Sequence, residues 1–242
     1  MPQPPIRRPQ PRLPVATGRG GKRSAGGKGA AGRKPGHKAA RTPPARGGIG
    51  HIRIIGGRLR GRRLPVPQQA GLRPTTDRVR ETLFNWLAAD IPGSRCLDCF
   101  AGAGALGFEA FSRGAAEVVL IERAARVAAG LSANAQTLRA AAARDDMLAQ
   151  ARLQVVQAHA LQWLAARPPR PFDIVFLDPP FDDAVLAETC QRLAQGWLAP
   201  AAAVYLETPA STPMPALPEH WHIARERTAG QVCYALVRLT PA

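Results

Sequence analysis

Two short runs contain the residues most suited to chemistry. The first is Leu97-Asp98-Cys99-Phe100-Ala101-Gly102-Ala103-Gly104-Ala105-Leu106-Gly107, in which three glycines fall at Gly-x-Gly-x-x-Gly spacing between an apolar strand and a helix. Glycines at such a junction let the backbone turn tightly and meet a ligand with no Cβ in the way. Alone, the pattern fits a dinucleotide fingerprint or a tight strand–helix turn that binds nothing. Glu122, which ends the next apolar strand 18 residues after Gly104, adds an acceptor for ribose hydroxyls. The second run is Asp178-Pro179-Pro180-Phe181, directly after the apolar strand Phe172-Asp173-Ile174-Val175-Phe176-Leu177. Two prolines fix φ and remove two backbone donors, so the chain leaves the sheet rigidly. A carboxylate, the free Pro179 carbonyl and an aromatic face then share one strand end. A planar base with an exocyclic amine needs those groups: two acceptors for its N–H bonds and a ring to stack on. An ordinary Pro-Pro loop is the plainer alternative, and the glycine run one strand away weighs against it.

Other candidates are weaker. Cys96-x-x-Cys99 has zinc or redox spacing, but both residues lie in an apolar strand, and Cys190 and Cys233 form no second pair. They read as core cysteines. The five histidines show no ligand spacing, and no metal site is expected. Trp86, Trp163, Trp197 and Trp221 read as packing residues.

These motifs need a scaffold of alternating strands and helices, and the pattern supplies one. Strands are expected at 95–99, 117–122, 152–157, 172–177 and 202–207, with helices at 105–113, 124–138, 160–166 and 184–196. Residues 220–227 and 231–239 read as two antiparallel strands around Ala229-Gly230. Upstream, His51–Ile55 and Arg62–Val66 suggest a basic β-hairpin around Gly56-Gly57. Thr76–Ala88 suggests an amphipathic helix capped by Thr75 or Thr76, with Val79, Leu83, Trp86 and Leu87 on one stripe. The expected fold is α/β: a mostly parallel, Rossmann-like sheet covered on both faces, with ligands at the carboxyl ends of its strands and antiparallel edge strands from the terminal hairpin.

Charge divides the 242 residues unevenly. Residues 1–50 hold twelve cations and no acid; residues 51–80 hold eight arginines against Asp77; the remainder is slightly acidic. A near-neutral body behind a basic leader points to a polyanionic partner. Residues 1–50, with nine prolines and eleven glycines, read as a disordered arm, and 51–242 as the folded domain, with 51–70 its hairpin extension. No run of 18 apolar residues could span a membrane, and no apolar segment follows the early arginines as in a secretory signal. Four cysteines make no disulfide framework, which suits a reducing cytoplasm.

"DCFAGAG" and "DPPF" resemble motifs I and IV of class I S-adenosylmethionine-dependent amino-methyltransferases. Two longer runs narrow the resemblance: Arg53-Ile54-Ile55-Gly56-Gly57-Arg58-Leu59-Arg60-Gly61-Arg62-Arg63-Leu64, and Leu72 to Leu87, which opens Leu72-Arg73-Pro74-Thr75-Thr76-Asp77-Arg78. They are similar to the bacterial small-subunit rRNA guanine-N2 methyltransferases that modify guanine-966 of 16S rRNA, over about residues 51–239. The resemblance implies cofactor binding by Asp98, Phe100, Gly102, Gly104 and Glu122. It places His159 and Ala160 near the adenine, in a stretch Gln157-Ala158-His159-Ala160 that departs from the family's usual acidic or amide residue. It also brings Arg73-Pro74-Thr75 near the methionine end of the cofactor. Asp178, Pro179, Pro180 and Phe181 would form the catalytic motif, and Arg53, Arg58, Arg60, Arg62, Arg63 and Arg73 would contact RNA phosphates. The implied protein is a monomer acting on 16S rRNA or the small ribosomal subunit. An adenine-N6 methyltransferase and a non-catalytic rRNA-binding assembly factor are the alternatives.

Overall fold

In the computed structural model, residues 50–66, 75–166, 170–180 and 183–240 are described. The expected arm up to residue 49, Arg73 and Phe181 lie outside them.

A two-stranded antiparallel ribbon comes first, β1 (Gly50–Arg53) with β2 (Arg63–Val66). Its outward residues are polar and its inward ones, Ile52, Leu64 and Val66, join the core. Helix α1 (Asp77–Trp86) follows; Thr76 is the N-cap, its hydroxyl oxygen accepting the Val79 N–H at 3.4 Å. It buries Val79, Leu83 and Phe84, and Trp86 stacks on Tyr234 with ring centroids 5.5 Å apart. Then strands and helices alternate: β3 (Arg95–Asp98), α2 (Ala105–Ser112), β4 (Glu117–Glu122), α3 (Ala125–Ala142), β5 (Arg152–Gln157), α4 (Ala160–Trp163), β6 (Phe172–Leu177), α5 (Asp183–Leu193) and β7 (Leu198–Pro209). Two long antiparallel strands end the chain, β8 (Trp221–Ala229) and β9 (Val232–Leu239).

The main sheet has seven strands in the order β5-β4-β3-β6-β7-β9-β8. The first five are parallel and the last two antiparallel to their neighbours. The chain runs outward from β3 to β5, then returns to β6 on β3's other side, so the topological switch point lies between β3 and β6. One face packs against the ribbon and helices α1, α2 and α3. The other, built on Leu97, Val175, Leu177, Val204 and Leu206, carries Trp197 and the α5 side chains Leu186, Cys190 and Leu193. All four cysteines are buried and unpaired.

The terminal hairpin departs from expectation in one respect. Only β8 is an edge strand; β9 lies inside the sheet, between β7 and β8. The side chains explain the order. Val232–Leu239 buries Cys233, Tyr234, Ala235, Leu236 and Val237, whereas seven consecutive residues of β8, His222 to Thr228, are exposed. Charged side chains along β8 blunt an edge that would otherwise invite pairing.

The turn linking β1 to β2 is latched onto the C-terminal end of α2. The Ile55 N–H donates to Glu109 Oε2 at 2.9 Å, the Leu59 N–H to Ser112 Oγ at 3.0 Å, and the Ser112 hydroxyl to the Gly56 carbonyl at 2.7 Å. Gly57 has φ +74° and lies so close to the Ser112 carbonyl that no Cβ would fit. Glu109 is fully buried, 2.7 Å from Arg113 Nε and 3.6 Å from Arg80 Nη1. Arg80 is also buried; its Nη2 donates to Asp77 Oδ1 at 2.6 Å and to the Arg53 carbonyl at 3.0 Å.

Candidate active site

The glycine run becomes the loop between β3 and α2. Gly102 and Gly104 have φ of +49° and +79°. A Cβ on Gly104 would also collide with Phe108 and Leu131, so both conformation and packing demand glycine there. Gly104 caps α2 with no side-chain hydrogen bond. Asp98, at the end of β3, braces this loop from below: its Oδ2 accepts the Gly107 N–H at 3.0 Å. Burial pushes its carboxyl up to about 7, against the opposing pull of the Gly107 and Phe100 amides. Phe100 is half-buried on the same loop.

Glu122 reaches the loop from the end of β4. Its Oε2 accepts the Gly102 N–H at 3.1 Å and its Oε1 the Ala124 N–H at 2.7 Å. Each oxygen keeps a second lone pair for an added donor. At the end of the neighbouring β5, His159 is the exposed N-cap of α4, making no side-chain cap bond, and Ala160 is buried. The ends of β3, β4 and β5 therefore present, in lateral order, a side-chain-free loop, a carboxylate and an imidazole. This arrangement fits a nucleoside-bearing ligand laid along the carboxyl edge, with Glu122 available to ribose hydroxyls.

On the other side of the switch point, Asp178 follows β6. Its Oδ2 accepts the Thr75 hydroxyl at 3.0 Å, which ties the segment before α1 to the end of β6. Burial pushes the Asp178 carboxyl up to about 8, with the negative charge of Glu207 adding to the effect. Pro179 is buried and Pro180 exposed. Glu207, near the end of β7, accepts the Tyr205 hydroxyl at 2.7 Å and is itself pushed up by burial. The motif pattern did not pick out Glu207 or Tyr205. One signal was present: Asp98, Glu122, Asp178 and Glu207 each follow an apolar strand run.

The arginine ribbon is largely solvent-facing. Arg53, Arg58, Arg60, Arg62 and Arg63 are all exposed, with Arg53 3.2 Å from Asp77 and Arg58 3.9 Å from Asp145. A cavity of about 580 Å³ between ribbon and helix is lined by His51, Arg53, Arg63, Thr75, Asp77 and Arg80 among others. Thr75, which also donates to Asp178, lies on its wall. Among the described residues, no group of His, Cys, Asp and Glu could hold a metal ion, and no helix is long and apolar enough to cross a membrane.

A mostly parallel seven-stranded sheet, a glycine loop after its central strand and an acid-Pro-Pro turn across the switch point define a class I methyltransferase fold. The fold is shared with an RNA methyltransferase from Salinibacter ruber solved with S-adenosyl-L-homocysteine (16% identity, TM-score 0.51, covering 70% of this chain and 95% of that one). Residues 52–238 match the family model described as Conserved hypothetical protein 95. The chain is 50% identical over 194 residues to Ribosomal RNA small subunit methyltransferase D of Escherichia coli K12, covering 80% of this chain and 92% of that one. The same-named Haemophilus influenzae protein is 44% identical over 200 residues, covering 82% and 98%. A solved Escherichia coli structure, yhhF, superposes with TM-score 0.70 at 46% identity, covering 80% and 100%. The chain belongs to the ribosomal RNA small subunit methyltransferase D family.

Proposed function

We propose that this protein transfers a methyl group from S-adenosylmethionine to the N2 amine of a guanine in small-subunit ribosomal RNA, of the guanine-966 type in 16S rRNA. Its relatives' names support rRNA as substrate. The observation that carries the amine assignment is Asp178, held at the β6 end by Thr75, on the same sheet edge as the glycine loop.

The cofactor supplies an electrophilic sulfonium methyl. Gly102 and Gly104 give its backbone-facing surface room, Asp98 and Phe100 fix that loop, and Glu122 accepts from ribose hydroxyls. His159 and the Ala160 amide meet the adenine, and Thr75 stands toward the methionine end. A guanine amine is a poor nucleophile because its lone pair is delocalised into the ring. Asp178 and the Pro179 carbonyl accept hydrogen bonds from its two hydrogens, which favours a pyramidal nitrogen with its lone pair facing the methyl. The gain comes from alignment and from acceptors placed where positive charge develops. Asp178 then takes the departing proton. Pro180 holds the turn, and Phe181, outside the described residues, stacks on an extruded base. Arg53, Arg58, Arg60, Arg62, Arg63 and Arg73 contact phosphates and set register on the RNA. The enzyme works as a cytoplasmic monomer without a metal, residues 51–242 forming the catalytic domain and residues 1–50 a basic arm.

Incorporation of tritiated methyl into small ribosomal subunits lacking the modification, followed by nucleoside analysis, tests this. N2-methylguanosine is expected. Label in N6-methyladenosine would move the activity to adenine, and absence of label would leave a non-catalytic RNA-binding factor.

A further inference from the structure

The catalytic edge holds a second acid that the mechanism above does not use. Strands β6 and β7 are parallel, with Leu177 opposite Leu206. The next residue on each strand is an acid, Asp178 on one and Glu207 on the other, at neighbouring positions about 5 Å apart at Cα. Alternation turns both toward the face of Phe176 and Tyr205, the side covered by α1. Glu207 is 8% exposed. Its one hydrogen-bond partner among the described residues is the Tyr205 hydroxyl at 2.7 Å, and neither acid forms an ion pair there. Among the described residues, the groups around the pair are Asp98 from β3, Thr75 before α1, Tyr205 in β7 and Tyr234 opposite Glu207 in β9. None is a cation. A carboxylate has about four lone-pair sites, and hydroxyls fill few of them here. Buried acceptors of this kind call for donors from outside the chain.

We propose that Glu207 is the specificity-determining residue of the base pocket, accepting the N1–H of the target guanine while Asp178 and the Pro179 carbonyl hold its N2 amine. This inference rests on the guanine-N2 function proposed above. Guanine is the base that presents N1–H and N2–H2 as adjacent donors. Adenine presents a lone pair at N1, which would face the Glu207 carboxylate and leave its free oxygen buried against another acceptor. Sites that hydrogen-bond a donor reject the analogue lacking it far more strongly than apolar pockets reject a size change. Tyr205 holds Glu207 in place from below.

The test replaces the target guanine by 2-aminopurine in the RNA the wild-type enzyme methylates. That base keeps the N2 amine but carries an acceptor at N1. Wild-type kcat/KM is expected to favour guanine by about ten-thousandfold. In Glu207→Gln the amide can donate to an N1 acceptor, so the preference is expected to fall to within a few fold. A wild-type enzyme that methylates both bases equally overturns the inference while the N2 function stands, and this arm needs no variant to fold. A Glu207→Gln enzyme that binds cofactor normally and keeps the full preference overturns it too. If the wild type labels no guanine amine at all, the proposed function itself fails.

Discussion

In the proposed mechanism Asp178 takes the amine's departing proton, so it must start ionised, and its surroundings oppose ionisation. Burial and the Glu207 charge hold its carboxyl near 8, so in the free enzyme the proton is lost only as pH rises into that region. The logarithm of kcat/KM on small subunits should therefore climb with pH, with a slope of about one, and level off above about 8. A rate already flat from pH 6 upward would show that another group governs the step. The same proton bears on stability. Between about pH 4, where an unfolded aspartate ionises, and about 8, the folded chain binds more protons than the unfolded one, so stability falls as pH rises through that window. Asp178→Asn, which cannot ionise, should melt several degrees above wild type at pH 8, the gap shrinking toward pH 4. A pH-independent gap in thermal melts would contradict this. Asp178 and Glu122 were legible in the sequence because each sits at a motif. Glu207 was not, because an acid after Ala202-Ala203-Val204-Tyr205-Leu206 has no motif around it; only the strand pairing puts it beside Asp178.

Among the elements, the ribbon's attachment to the body was the least legible in sequence. Hydrophobic periodicity located nearly every strand and helix, since each alternation follows from which side chains must be buried. It gave no sign that Arg80, met in a run of cations, would be 1% exposed. Beside Asp77 three residues earlier, its buried place has Glu109, 29 residues on, within 3.6 Å. Glu109 joins α1 through Arg80, its own helix through Arg113, and the ribbon turn through the Ile55 amide. Removing it would leave the buried Arg80 guanidinium with Asp77 as its one carboxylate partner among the described residues, and would leave the Ile55 amide without its acceptor. Glu109→Ala should cost about 3–5 kcal/mol, read as a lower urea midpoint, and should loosen the ribbon first, as faster amide exchange at Ile55 and Leu59. A midpoint unchanged within about 0.5 kcal/mol would mean water replaces the carboxylate without strain.

At the scale of the whole molecule, the cations fall into two groups with different expected work. Residues 1–46 carry twelve of them and residues 51–80 eight arginines, five of which are exposed on or beside the ribbon. Deleting residues 1–46 should leave the rate on saturating substrate near normal. RNA affinity should weaken, and the slope of log affinity against log salt should become shallower, since fewer counterions are released. Neutralising Arg58, Arg60, Arg62 and Arg63 should instead reduce turnover even at low salt, because register on the RNA is lost. Lost turnover in the deletion beside a silent four-arginine change would reverse that division. The strand order at the other end of the sheet bears on how the molecule is made. Synthesis delivers β7, then β8, then β9, yet β9 is the strand that lies against β7. While the chain is growing, β7 therefore waits with one long apolar edge open, and β8 arrives first beside it with its ladder groups equally unmatched. Had β8 carried valines in place of Arg225, Glu226 and Arg227, it could have zipped onto that edge and locked out the proper occupant. Its charges disfavour that mispairing and leave the berth to Val232–Leu239.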